Sequence, residues 1–171
     1  MNVDASTPVA TPSTSQQDSH TLEEVWSRVE ASRAPFCATP ELNYDEVQSS
    51  VQIAAMLQQQ GFRVERGIAG IPTAMVGEAG QGGPVIAILG EYQALPGFSQ
   101  EADVAEPRPM QTGGNVHGCG HNLLGSAALQ AASAVKDFLA AHHLPGRVRF
   151  YGCPAEEGGS AKGFMVRARG R

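Results

Sequence analysis

The feature that most limits how this chain can fold is a strand, helix, strand succession in its second half. Residues 84–89 (PVIAIL) form a continuous apolar run bounded by glycines, the pattern of a strand covered on both faces, and we expect it at the centre of a sheet. In residues 123–139, Leu124, Ala127, Ala128, Ala131, Val135, Phe138 and Leu139 keep helical spacing, with alanines small enough to let the helix lie close on a sheet. Pro145 and Gly146 break that helix, and residues 147–153 read as a further strand. Upstream, Thr21 to Glu24 match a capping box, and Leu22, Val25, Trp26 and Val29 predict a helix that begins at Leu22 and ends before Pro35. Asn43 and Glu46 repeat the cap pattern ahead of Val47, Val51, Ala54, Ala55 and Gln58 on one face, and Gly61 is placed to stop that helix. Residues 62–65 and 73–76 read as short strands. GEAGQGG at residues 77–83 lies between strands and lacks the Lys-Ser/Thr of a phosphate loop, so it reads as a hairpin turn. The order of elements predicts an α/β fold, a mixed, largely parallel sheet flanked by helices.

Length and charge set further bounds. A chain of 171 residues accommodates one domain with a real core. Residues 1–20, rich in Ser, Thr, Pro and Gln, have almost nothing to bury and are expected to be a disordered tail, leaving 21–171 as the folded part. A net charge of -5 with no Lys/Arg cluster argues against nucleic acid or an anionic membrane as partner, because counterion release needs a basic footprint. The three cysteines, Cys37, Cys119 and Cys153, are odd in number and scattered, unlike a disulfide framework, and fit a reducing compartment. No signal peptide or membrane-spanning run is visible, so the expected location is cytoplasmic.

Two glycine-rich stretches carry the chemistry: HGCGHN at residues 117–122, before the long helix, and PAEEGG at residues 154–159, after the last strand. Together they offer a thiol, two imidazoles and adjacent carboxylates, the ligand types that hold zinc or manganese. Gly118, Gly120, Gly158 and Gly159 are read as removing side chains that would crowd an ion. Cys119 and His121 can converge on one ion if the backbone turns sharply at Gly120. Alone, that pair equally describes a buried thiol and a capping histidine, and Glu156-Glu157 alone describes a solvated acidic turn. The two motifs together, each after a predicted strand, favour a site at the carboxyl ends of the strands, where open α/β sheets bind ligands. One glutamate would then hold metal while its neighbour acts as a general base.

HGCGHNLLG followed by PAEEGGSAKGFMVR resembles the aminoacylase, hippuricase and carboxypeptidase G family of metal-dependent amidohydrolases. GIPTAMVG and LGEYQALPGFSQ are most like its aminobenzoyl-glutamate hydrolase B-subunit group, and the resemblance runs from about Leu22 to Arg167. It implies a zinc-exopeptidase-like catalytic domain that hydrolyses the amide bond of an N-acyl amino acid such as aminobenzoyl-glutamate. It also implies a divalent metal, Zn or Mn, dinuclear in the intact family. Carried over by residue, it makes Cys119, His121 and Glu157 metal ligands and Glu156 the general base, with His117 and Gln93 supporting the ligands from behind.

Two departures accompany the resemblance. Gln93 stands where the family's E-[FY]-D-A-L-P motif has Asp, and no histidine follows His143, so the family's two downstream histidine ligands and its lid and dimerisation domain are not in this chain. The expectation is an amino-terminal, truncated form of the enzyme, impaired alone and open to homo- or hetero-oligomeric association. An alternative is a non-catalytic binding or assembly module that docks with another subunit. A third reading makes Cys119 a nucleophile with His117 or His121, although such pairs are usually assembled from distant segments.

Overall fold

The computed structural model describes residues 27, 30–31 and 39–169. The expected tail and most of the helix expected from Leu22 lie outside the described residues; Ser27, Glu30 and Ala31 are helical.

Helix α1 spans Val47–Gln59. Its first N–H groups are capped from a preceding loop, where the Glu41 carboxylate accepts from the backbone N–H of Gln48 (2.9 Å), the backbone N–H of Ser49 (2.8 Å) and the Ser49 hydroxyl (2.8 Å). Glu46 occupies the capping position but makes no side-chain bond to the helix, so the cap expected from Asn43 and Glu46 is not the one used. The helix buries Ser49, Ser50, Ile53, Ala54 and Leu57, while Val47 and Val51 are 57% and 46% exposed. The buried face is thus rotated from the one expected. Glu41 satisfies Ser49, and the Ser50 hydroxyl donates to the Val47 carbonyl (2.9 Å), so both serines can be buried. Gly61, at φ +84°, ends the helix as predicted.

Four strands follow, Arg63–Arg66 (β1), Met75–Gln81 (β2), Val85–Gly90 (β3) and Gly146–Gly152 (β4), in the order β1-β2-β4-β3. The sheet is mixed, as expected, but the emphasis on parallel pairing is not met. β1–β2 and β2–β4 are antiparallel, and β3–β4 is parallel. β4 lies between β2 and β3, so residues 77–83 do not form the expected hairpin turn. Nor is β3 central: it lies at the edge of the described sheet, with Val85, Ile86 and Leu89 38%, 44% and 48% exposed. An apolar run records affinity for burial and not the order of neighbours, which here depends on where β4 enters.

Helix α2, His121–Ala141, is the crossover that the parallel β3–β4 pair requires. Its buried face is made largely of small residues, Gly125, Ser126, Ala128, Ala132 and Ser133, with Leu129 among them, and Leu124 and Phe138 are left 44% and 51% exposed. A Cβ on Gly125 would lie 2.4 Å from the Glu91 carbonyl oxygen, so only glycine lets α2 approach the chain leaving β3 this closely. Helices α1 and α2 share one core with the sheet, built on Ile53, Leu57, Phe62, Met75, Tyr92, Leu129, Val148 and Phe150. Phe150 is fully buried there, and its truncation to Ala would cost about 3–5 kcal/mol.

The other side of β4 is polar along much of its length. Arg149 pairs with Glu78, its cross-strand neighbour, and Arg63 and Arg147 lie 2.7 and 3.8 Å from the same carboxylate. Beyond β4 come the helical turn α3, Glu156–Gly159, and helix α4, Ala161–Arg169. Ala161 and Met165 of α4 close a second small core with Ile71, Ala74, Cys153 and Ala155. Among the described residues no helix is long and apolar enough to cross a membrane.

Candidate metal centre

The parallel pairing of β3 and β4 brings their carboxyl ends together, with Gly90 opposite Gly152. The Cys153 N–H donates to the Gly90 carbonyl (2.9 Å), continuing the register by one step. Glu91 therefore leaves one strand close to where Pro154, Ala155 and Glu156 leave the other. His121 reaches the same place as the first residue of α2, after Gly120 turns the chain at φ +79°.

Ligand atoms of Glu91, His121 and Glu156 all lie within 4.8 Å of one another. His121 Nε2 is 3.1 Å from Glu91 Oε2 and 3.8 Å from Glu156 Oε2. The Lys162 ammonium, from α4, pairs with the other oxygen of Glu91. The His121 and Glu91 side chains are 12% and 13% exposed and Glu156 is 39% exposed, so the cluster is closed behind and open on the Glu156 side.

Cys119 and Glu157 form a second pair beside it. The Cys119 thiol is exposed. Its hydrogen bond to the Glu157 carboxylate raises its pKa above the usual thiol value, with slight burial and the charges of Glu157 and Glu156 acting in the same direction. A proton on Cys119 is thus held by the carboxylate next to it.

The residues singled out in the sequence fall into four placements. His121 and Glu156 meet each other together with Glu91. Cys119 and Glu157 meet each other. His117 is half-buried and its carbonyl accepts from the Gly120 N–H (3.1 Å), closing the turn ahead of His121. Gln93 is 1% exposed, and neither its Oε1 nor its Nε2 has a hydrogen-bond partner among the described residues.

Sequence reasoning missed Glu91 and Lys162 as members of the cluster. Glu91 carries a usable signal, since it follows an apolar strand directly, as Glu156 follows another. The expected role of Gly158 and Gly159 is also corrected. A Cβ on Gly158 would lie 2.5 Å from Asn43 Nδ2, and one on Gly159 would lie 2.4 Å from the Tyr44 ring. These glycines admit the preceding loop.

The donor set suits a divalent cation. Two carboxylates and an imidazole from three separate segments are hard and borderline ligands of the kind zinc and manganese take. His121 presents Nε2 to both carboxylates, 3.1 Å from Glu91 and 3.8 Å from Glu156, so the lone pair of that nitrogen in the neutral imidazole would face an ion held between them.

Comparison with known proteins gives the family and the fold. Residues 87–170 match the family described as peptidase family M20/M25/M40. The chain is 54% identical over 128 residues to the B-subunit of p-aminobenzoyl-glutamate hydrolase from Escherichia coli, a match covering 75% of this chain and 27% of that protein. It is 34% identical over 131 residues to thermostable carboxypeptidase 2 of Saccharolobus solfataricus, covering 72% and 30%. The chain thus spans about three tenths of the length of these relatives. Among solved structures, a dinuclear metal-binding peptidase of the M20 family from Bacillus subtilis superposes with a TM-score of 0.71 at 24% identity, covering 87% of this chain and 40% of that one. An aminobenzoyl-glutamate utilization protein from Klebsiella pneumoniae gives 0.58 at 17% identity, covering 86% and 41%. At these identities the solved structures establish the fold.

Proposed function

The chain belongs to peptidase family M20/M25/M40, and from that premise we propose that it carries the amino-terminal catalytic elements of a metal-dependent amidohydrolase acting on an N-acyl amino acid such as p-aminobenzoyl-glutamate. The observation that carries this reading is the convergence of Glu91, His121 and Glu156 within 4.8 Å at the carboxyl ends of two parallel strands. The substrate class is taken from the E. coli relative, which is 54% identical over the matched residues and named for that substrate.

Cys119, His121 and Glu157 are the proposed ligands together with Glu91; His121 and Glu91 stand in the cluster with Glu156, and Cys119 and Glu157, paired with each other beside it, would turn toward the ion on binding. A zinc or manganese ion held by them would supply Lewis acidity to water and to the scissile carbonyl. The remaining work falls to the chain itself. Glu156, more exposed than its partners, is placed to take a proton from the attacking water and to return it to the leaving amine, one carboxylate serving as base and then acid. Glu91, held by Lys162 on one oxygen, brings the other beside His121 Nε2, so the carboxylate and the imidazole would offer donors to the same ion.

The test is hydrolysis of p-aminobenzoyl-glutamate by the purified chain, with manganese or zinc added and with chelator. The expected result is chelator-sensitive turnover reduced by roughly 10²–10⁴-fold in Glu156→Gln. Activity that survives both chelation and this substitution would overturn the proposal.

A second reading, a non-catalytic module that docks with another subunit, is favoured by one observation. β3 presents the exposed apolar residues Val85, Ile86 and Leu89 along an edge of the described sheet, a surface suited to pairing with another chain. The E. coli relative is itself named as one subunit of its hydrolase. A concentration-dependent sedimentation coefficient together with absent turnover would favour this second reading.

A further inference from the structure

The turn that presents Glu156 and Glu157 is held in a costly backbone conformation. Ala155 before it and Ser160 after it both have left-handed dihedrals, φ +52° and ψ 43° at Ala155 and φ +52° and ψ 40° at Ser160. Neither is glycine, and non-glycine residues persist there only when their surroundings impose it. The imposing groups come from residues 43–46, more than a hundred positions upstream.

Glu46 is fully buried. Its Oε1 accepts from the Ala155 backbone N–H (2.8 Å), and its Oε2 accepts from the Thr73 hydroxyl (3.3 Å). At the other end of the turn, the Tyr44 hydroxyl donates to the Gly159 carbonyl (2.5 Å), with the Tyr44 ring against the Gly159 backbone and Asn43 against Gly158. A buried carboxylate is costly unless it is bonded, and this one uses a bond on the residue immediately before Glu156. It makes none to the helix that it begins.

We infer that Glu46 and Tyr44 are positioning residues that clamp the two ends of the Glu156–Gly159 turn and so set where both carboxylates stand relative to His121. Neither belongs to the ligand set. They act through the backbone, and displacement of about 1 Å in such a constellation is enough to cost a hundredfold in function. The inference rests on the metal-centre reading for its consequence, but the clamp itself is a statement about the turn.

The experiment follows both levels in the full chain. Hydrogen exchange resolved by mass spectrometry reads the peptide covering residues 153–160 without any metal, and titration with cobalt(II) alone, followed by visible absorbance, reads the ligand geometry. Glu46→Ala is expected to speed exchange in that peptide at least tenfold and to weaken cobalt binding at least tenfold. Glu46→Gln, which keeps an acceptor for the Ala155 N–H, is expected to match wild type on both. Should Glu46→Ala fail to fold, Tyr44→Phe removes only a partly exposed hydroxyl and is expected to speed exchange and weaken cobalt binding by about threefold. Unchanged exchange and unchanged cobalt affinity in the folded variants would overturn the inference. So would destabilisation in Glu46→Ala with exchange in this peptide rising no more than elsewhere. A wild-type chain that takes up no cobalt would count against the metal-centre reading, while exchange would still decide whether the clamp exists.

Discussion

Glu91 Oε2 lies 3.1 Å from His121 Nε2 while the other oxygen of the same carboxylate is paired with Lys162, so one side chain joins the end of β3, the start of α2 and the first turn of α4. Glu91 is little exposed, and Glu156 brings a second negative charge to the same imidazole. Lys162 is the cation among the described residues that offsets this charge at the cluster.

Removing that cation should make the cluster both less stable and more receptive. In Lys162→Met, with chelator present, thermal unfolding is expected to show a loss of about 1–2 kcal/mol, the scale of one charge-assisted hydrogen bond. Added manganese should recover more stability in the variant than it adds to wild type, because an ion binding the native state raises its stability by mass action. Equal responses to manganese in the two proteins would show that Lys162 does not compete for the site.

The thiol pair gives a prediction that needs no metal. The Glu157 carboxylate raises the pKa of Cys119, so at pH 8 a smaller fraction is thiolate than in an ordinary exposed cysteine. Glu157→Gln is expected to accelerate alkylation of Cys119 severalfold at pH 8, as read by peptide mass mapping. Cys153 should remain unmodified under the same conditions, because burial pushes its thiol up to about 11. An unaltered Cys119 rate would contradict the Cys119–Glu157 hydrogen bond.

On the opposite side of the sheet, Glu78 is held below the usual carboxylate range, chiefly by its bond to Arg149, with Arg147 and Arg63 adding charge. A folded-state pKa below the unfolded value means that the contribution is present above the unfolded pKa and is lost as pH falls through the depressed folded value. Wild type should therefore exceed Glu78→Gln in stability at pH 7, by about 1 kcal/mol for this partly solvated cluster, and the gap should close on acidification below pH 4. Urea melts of both proteins across this range check the sign. A gap that widens in acid would refute it.

Much of the site was legible in the chain because its parts are local. HGCGHN and PAEEGG gather metal-ligating residue types into two short local runs, and the breaks at Gly61 and at Pro145-Gly146 stand where the elements end. The α/β class follows from the alternation of helices and strands. Glu91 was not read as a member of the cluster, because a carboxylate after a strand gains meaning only from its neighbours in space.

What the sequence by itself determined, then, is which segments are helix or strand and which donor chemistry sits in their connecting loops, since periodicity, glycine placement and side-chain type act over a few residues. What only the tertiary structure decided is who meets whom. The entry of β4 between β2 and β3 put the apolar run of β3 at an edge and made it parallel to β4, which brought Glu91 beside Glu156. Packing also selected the buried faces of α1 and α2, choosing small or hydrogen-bonded residues over the larger apolar ones because close approach and satisfied polar groups outweigh hydrophobicity alone. The bond from Glu46 to the Ala155 N–H spans 109 positions. No local pattern encodes it, because it forms only when the loop before α1 folds against the turn after β4.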